Sequence, residues 1–175
     1  MSSRSSVPFI SEVLREDHIL TQFKSGNDAL DRWLNDSAGR ARLRGAGRTW
    51  VWHSGDRIVV AYFTVVAHAL RRDSLPKAQG RSLPREIPAI LLAKLALDGR
   101  LHGQHLGEQL LIDSLSRAAA AGELVGSRYL VVDAIDGSAV DFYTRYGFTT
   151  LPGTAPVRLL RRVSAIAADL GMDHE

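Results

Sequence analysis

The sequence predicts an α/β protein, a mixed and mostly antiparallel central sheet flanked by helices. Three observations carry this. Two runs rich in β-branched and aromatic residues, Thr49 to His53 and Arg57 to Ala69, are joined by the turn-forming Ser54-Gly55-Asp56. An apolar run, Ile90 to Leu97, feeds a glycine loop that opens an amphipathic helix. A further apolar run, Tyr129 to Ala134, precedes another helix and a last strand, Val157 to Val163. At 175 residues the chain fits one domain, residues 1–175, with a core from about residue 10 to residue 163 and short tails.

Taken in order, Ser25-Gly26-Asn27-Asp28 fits a Ser-x-x-Asp helix start, and Leu30, Trp33, Leu34 and Ala38 then recur at helical spacing. One helix is expected from about Asp28 to Arg44. The β-hairpin follows. Arg71 to Pro88 holds three of the six prolines and several charges, and reads as an exposed loop. Ile90 to Leu97 reads as a buried strand. Beyond the loop Asp98 to Gly107, the residues Leu106, Leu110, Leu111, Leu115, Ala118 and Ala119 mark one face of a helix. Ser138 to Tyr146 is expected to be helical with Ser138 as its cap. The order is a hairpin followed by β-α-β-α-β, with no internal repeat.

Hydrophobic residues make up 45% and charged residues 23%, a balance that excludes a disordered chain. With no cysteine, disulfides, thiolate metal sites and cysteine nucleophiles are excluded together. Met1 to Val7 is serine-rich without an apolar export core, and the apolar stretch Ile58 to Leu70 is too short to span a bilayer. A cytoplasmic protein without membrane contact is expected. The net charge is only +3, but the arginines cluster: Arg40, Arg42, Arg44 and Arg48, then Arg71 and Arg72, then Arg158, Arg161 and Arg162. Such clusters suit a polyanion; equally, arginine replaces lysine over the whole surface, since Lys24, Lys77 and Lys94 are the only lysines.

The chemistry centres on two segments. A strand feeding a glycine loop at a helix start aims free backbone N–H groups and the positive end of the helix dipole at one point, which attracts phosphate. Neither G-x-G-x-x-G nor G-x-x-x-x-G-K-[ST] is present, so nucleotide folds built on those motifs are disfavoured. The loop alone also fits a connection that lets the helix pack close to the sheet. The second segment is Ala139 to Phe148, where Phe142-Tyr143 stands just ahead of Gly147-Phe148.

Together, Leu95-Ala96-Leu97-Asp98, His102-Gly103-Gln104-His105-Leu106-Gly107 with Leu110-Leu111, Phe142-Tyr143 and Gly147-Phe148 resemble the cofactor motifs of the GNAT acetyltransferase superfamily. Phe23-Lys24-Ser25-Gly26 with Leu30-Asp31-Arg32-Trp33-Leu34 resembles the opening of its toxin branch, found in bacterial toxin–antitoxin pairs. The likeness runs from about residue 10 to residue 163. It implies an acetyl-CoA-dependent N-acetyltransferase that acetylates the amino group of aminoacyl-tRNA, stops translation, and is restrained by a small antitoxin of the ribbon-helix-helix type; it leaves room for a homodimer. It implies cofactor contacts from Leu95, Ala96, Leu97, His102, Gly103, Gln104, His105, Leu106, Gly107, Glu108, Asp136 and Phe142, and a catalytic Tyr143. The arginines Arg40, Arg42, Arg44, Arg48, Arg71 and Arg72 are the candidates for guiding tRNA phosphates.

Residue chemistry agrees with that assignment. An α-amino group with a pKa near 8 is already partly neutral at neutral pH, so no strong base is required, whereas a departing thiolate gains from an acid such as a tyrosine hydroxyl. Tyr143 is that candidate, and it also fits a core tyrosine beside Phe142 and Phe148. His102 stands where the family usually has glutamine or arginine, and His105 where it has glycine. A side chain at His105 either obstructs the loop, forces a strained backbone angle, points outward, or in its cationic form adds a hydrogen bond to phosphate. The acids and histidines show no spacing that supports a metal, and none is expected. Two other readings share these features: an acetyltransferase acting on a protein N-terminus, polyamine or other small amine, and a non-catalytic module that binds tRNA or an antitoxin.

Overall fold

A computed structural model describes residues 8–172. The serine-rich start, 1–7, lies outside the described residues, so the expectation built on it stays with the sequence. Seven strands form one mixed sheet in the order β1-β2-β3-β4-β5-β7-β6. Strand β1 (Ile10–Val13) runs antiparallel to β2 (Arg48–His53), pairing Ile10 with His53 and Val13 with Trp50. β4 (Glu86–Leu97) is parallel to β5 (Tyr129–Ala134), in register from Ala89↔Tyr129 to Leu92↔Val132. β7 (Val157–Arg162) is antiparallel to both β5 and the two-residue β6 (Thr149–Thr150). The mixed, largely antiparallel architecture expected from the sequence is the one observed.

Several boundaries move, each for a local reason. The single helix expected over 28–44 is two, α1 (Asp28–Asp36) and α2 (Ala38–Leu43), broken at Ser37 with φ −124° and ψ −31°. Asn35, Asp36, Ser37 and Gly39 all favour non-helical backbone, through side-chain competition or glycine entropy. The start is set by Asn27, whose side chain accepts the N–H groups of Ala29 and Leu30 at 3.1 and 3.2 Å. Ser25 does not cap. Its hydroxyl donates to Asp31 at 2.6 Å and its own N–H reaches the same carboxylate, tying the entering chain to the first turns.

The link between β2 and β3 (Ala61–Arg71) is longer than the three-residue turn expected, because Arg57 and Val59 turn their backbone hydrogen bonds to Ile19 instead of β2. Ile58 bridges instead to Ile19. The loop expected over 71–88 is shorter: a 3-10 turn at Arg72–Ser74 and α3 (Lys77–Gly80) occupy its middle, and β4 already begins at Glu86. α4 (Leu106–Val125) is followed after β5 by α5 (Gly137–Arg145), and α6 (Val163–Asp169) follows β7.

The chain divides into two compact units, one formed up to Thr64 together with Lys94–Asp113, the other by Val65–Ala93 with Ser114 onward. In the first, Leu14, Phe23, Leu34, Ala38, Val51 and Val59 surround Tyr62, whose hydroxyl donates to the Leu30 carbonyl at 2.7 Å. Trp33 stacks on Tyr62 at 6.0 Å. In the second, Leu70, Ile87, Tyr129, Val131, Leu151 and Leu160 form the core. There α4 approaches closely at Gly122, where a Cβ would stand 3.0 Å from Val163 Cγ2 and 3.6 Å from Ile90 Cγ1. A side chain there would have to push Val163 aside.

Candidate active site

The glycine loop is anchored at its root. Asp98, 2% exposed, accepts the backbone N–H groups of Arg100 at 3.0 Å and Lys24 at 3.1 Å, and Gly99 N–H donates to the Lys24 carbonyl at 2.8 Å. Burial by itself would raise the Asp98 carboxyl, but the Arg100 side chain and these two backbone donors outweigh it and hold it below the ordinary range. His102 then turns back, its Nε2–H donating to the Leu97 carbonyl at 2.8 Å. Because a carbonyl only accepts, the proton of that ring must sit on Nε2. Gln104 likewise donates to the Arg100 carbonyl at 3.3 Å.

These side chains fold onto their own backbone, leaving the main chain to line the loop. Gly103 takes φ +79° and His105 φ +60°, and α4 begins at Leu106. The first N–H groups of a helix lack partners within it. A Cβ at Gly103 or Gly107 would meet nothing within 4 Å, so both positions have open space around them. His105 is exposed. Of the fates expected for it, the left-handed angle and the exposed side chain occur together. Glu108, in the first turn, places a carboxylate at the positive end of the dipole. Donor-rich backbone, a helix start and side chains turned away make a cradle that fits a phosphate-bearing group. Leu95, Ala96 and Leu97 belong to the end of β4, where the Leu97 carbonyl is already taken by His102.

Tyr143 lies in the second unit, on α5. The cap of that helix is Asp136, which accepts the Ala139 N–H at 2.8 Å, and not Ser138. Tyr143 is 8% exposed, edge-on to Phe142 at 5.5 Å and to Phe148 at 5.7 Å. Burial pushes its hydroxyl up to about 12. It is therefore a fully protonated phenol at neutral pH, packed as a core aromatic and able to donate. Tyr146 packs on Phe142 at 5.3 Å.

The six arginines assigned to tRNA are all exposed and differ in their neighbours. Arg40, on α2, donates to the Asp36 carbonyl at the end of α1. Arg71 pairs with Asp73 at 3.0 Å, and Arg72 donates to the Leu83 carbonyl at 3.0 Å. Arg42, Arg44 and Arg48 accompany Arg40 in the first unit, whereas Arg71 and Arg72 belong to the second.

Two polar clusters escaped the sequence reading. In the first unit, Glu12, His18 and His53 bring their donor atoms within 4.8 Å of one another, a set able in principle to hold a metal. Backbone geometry argues otherwise. The Arg15 N–H donates to His18 Nδ1 at 2.9 Å and the Gly55 N–H to His53 Nδ1 at 3.1 Å, so each ring keeps its proton on Nε2 and donates it to Glu12 Oε1, at 2.8 and 2.6 Å. A metal would need those Nε2 lone pairs. Hydrogen bonds from His18, then His53, hold the Glu12 carboxyl below its ordinary range.

In the second unit Arg158 grips Asp133 with both edges of its fork, at 2.8 and 3.0 Å, and offers Nη1 to His68 Nε2 at 3.1 Å. Burial and the Arg158 charge lower the His68 pKa. No sequence spacing announces either cluster, since strand pairing brings Glu12 beside His53 and Asp133 beside Arg158.

No family model matches the chain. It is 30% identical over 152 residues to a tRNA-acetylating toxin of Mycobacterium tuberculosis, covering 87% of this chain and 90% of that protein. The structure superposes on that of the toxin AtaT complexed with acetyl-methionyl-tRNAfMet with a TM-score of 0.82 and 27% identity, over 91% of this chain and 98% of the other. It also superposes, with a TM-score of 0.78 and 25% identity over 93% and 98% of the two chains, on a tyrosine-to-phenylalanine mutant of AtaT bound to the C-terminus of the antitoxin AtaR and acetyl-CoA. The anchored loop and buried tyrosine stand on the motifs that suggested the resemblance, and the chain belongs to the tRNA-acetylating toxins, a branch of the GNAT acetyltransferases.

Proposed function

We propose that this protein transfers the acetyl group of acetyl-CoA to the α-amino group of an aminoacyl-tRNA and thereby blocks translation. The observation that carries the reading is the 30% identity, over 87% of the chain, to a tRNA-acetylating toxin. The AtaT complex with acetyl-methionyl-tRNAfMet supports it.

Acetyl-CoA, when bound, supplies an acetyl group activated as a thioester. The backbone of Gly103 to Gly107 and the first turn of α4, with Glu108 at its edge, would receive the phosphates. Leu95 to Leu97 would accompany the pantetheine arm through backbone groups, and Phe142 would pack beside it. His102 and Asp136 act one step back, His102 by closing the loop on Leu97 and Asp136 by capping α5. Tyr143 holds its proton on the phenol oxygen and donates it to the leaving thiolate, while the amine gives its own proton to water or a weak base. Arg40, Arg42, Arg44, Arg48, Arg71 and Arg72 would meet tRNA phosphates.

AtaT is seen with the C-terminus of AtaR, which supports an antitoxin partner, here taken to be of the ribbon-helix-helix type. Among the described residues no helix is long and apolar enough to cross a membrane. A tRNA substrate supports an activity in the cytoplasm. The two units are taken as one catalytic domain, a view supported by β3, β4 and α4, each of which contributes residues to both.

Labelled acetyl-CoA offered with aminoacyl-tRNA, free amino acids and peptides tests this. Labelling of aminoacyl-tRNA alone is expected. Labelling of peptide N-termini without aminoacyl-tRNA would overturn it in favour of an ordinary N-terminal acetyltransferase.

A further inference from the structure

Four arginines converge on one cavity of the second unit. Arg81 follows α3, Arg128 precedes β5, and Arg161 and Arg162 end β7; with Gln79 and Thr149 they line a space of about 430 Å³. Among the described residues no acidic side chain lines it. Asp169 pairs with Arg161 from α6, which offsets one charge of the four. A second cavity of this unit, about 410 Å³, mixes Arg71, Arg72 and Arg85 with Asp73 and Glu86 and so nearly balances itself.

The arginines are held in place. Arg161 occupies room that Gly147 leaves, since a Cβ there would stand 2.9 Å from Arg161 Nε. The Arg128 guanidinium lies 5.6 Å from the Tyr129 ring centroid, and its Nε is buried with no hydrogen-bond partner among the described residues. Its backbone is fixed on both sides, the N–H on the Pro88 carbonyl and the carbonyl on the Val163 N–H, each at 2.9 Å. An unmatched buried donor beside three further guanidinium groups calls for an anion with several oxygens.

We propose that this cavity binds a backbone phosphate of the substrate RNA, an inference that rests on the aminoacyl-tRNA reading above. The arginines arrive from three separate elements, α3, β5 and β7. A tetrahedral phosphate presents oxygens in several directions and can meet forks from all of them, whereas a carboxylate offers two oxygens in one plane. Guanidinium stays charged at every relevant pH, as a site for a permanent anion requires.

The test is filter binding of uncharged tRNA by the full chain at rising salt, with Arg128→Gln, Arg162→Gln and, as a control for the loss of one charge, the exposed Arg15→Gln. Each cavity variant is expected to weaken binding by about 5- to 20-fold and to lower the salt slope by about one unit. Arg15→Gln should change affinity less than twofold by the usual weakness of a single unplaced surface charge. Equal losses in all three variants, or none in the cavity variants, would overturn the proposal. So would competition by an oligoglutamate peptide that depends on Arg162 while tRNA binding does not. If Arg128→Gln fails to fold, the exposed Arg162→Gln decides alone. Because binding is read without acetyl transfer, a protein that proved to acetylate only peptides would still show whether the cavity takes RNA.

Discussion

His102 donates its Nε2–H to the carbonyl of Leu97 at 2.8 Å, so the loop is closed by the strand it leaves. The bond joins an exposed loop residue to the last residue of β4. His102→Gln keeps a donor of similar reach, and acetyl-CoA affinity should stay within about threefold, less than the 1.4 kcal/mol of a tenfold change. His102→Ala loses the bond and should cost about 1 kcal/mol of stability. Calorimetric binding and thermal melting of the two variants check this pair. Equal behaviour of glutamine and alanine would remove the bond from the loop's architecture.

Tyr143→Phe should fold as the parent does, since the edge-on contacts to Phe142 and Phe148 involve only the ring. Acetyl transfer under saturating acetyl-CoA should fall by about 10²-fold, the usual scale for loss of a general acid. Single-turnover kinetics measure it. Unchanged turnover would leave Tyr143 as core alone.

His105 holds φ +60° without being glycine. That conformation costs an ordinary L-residue roughly 1–2 kcal/mol, while glycine would lose about 0.5–1 kcal/mol through its freer unfolded chain. The first effect is the larger, so His105→Gly should stabilise by about 0.5 kcal/mol, and His105→Ala should not. Denaturant titration distinguishes them. Acetyl-CoA affinity should be preserved in the glycine variant, because the backbone already has the shape glycine prefers.

Glu12 serves two buried histidines through one oxygen. Its carboxyl is held below the ordinary 4.5, so the stability it contributes is present above that value and is lost as pH falls through the lower folded pKa. Glu12→Gln should therefore lower the melting temperature at neutral pH, and the gap to the parent should close as pH falls below the ordinary 4.5 and through the lowered folded pKa. Zinc should not raise the melting point of the parent, because both Nε2 atoms carry protons. A zinc-dependent increase lost in Glu12→Gln would make the cluster a metal centre.

His68 behaves oppositely in charge and alike in direction. Its pKa lies below the ordinary 6.5 because burial, then the Arg158 cation, disfavours the protonated ring. Below 6.5 the unfolded chain takes up a proton that the folded chain resists, so stability declines as pH falls through that window. An NMR titration of the ring should show a midpoint below the free value, and Asp133→Asn should lower it further by removing the one nearby anion. A rise in that variant would contradict the arrangement.

The parts of the fold that could be read from the sequence are those with enough periodicity to count. Tyr129 to Ala134 is observed at the bounds expected, because the run Tyr129-Leu130-Val131-Val132 is rich in aromatic and β-branched residues and follows the polar Ser127-Arg128, and α4 buries the predicted face. β1, β6 and α6 were not anticipated. Two to seven residues carry too little pattern, and β1 exists only through its register with β2. The glycine loop and Tyr143 stand out in the sequence as motifs, whereas the left-handed angle at His105 and the bond from Arg40 back to the end of α1 depend on backbone geometry that no spacing encodes. Glu12 and His53 stand 41 residues apart in the chain, and only strand pairing makes them neighbours.

Gly122 sets a condition on how this protein can be studied in living cells. An added Cβ must push Val163 aside by a few tenths of an ångström, and a large side chain must displace it outright, so bulky substitutions there would spoil the packing of the second unit. In a growth selection, where a cell survives by inactivating its poison, such substitutions would be recovered beside those at Tyr143 and look the same. Surviving colonies would thus mark two populations, one lacking chemistry and one lacking a folded chain. Soluble yield, measured clone by clone, is what separates them.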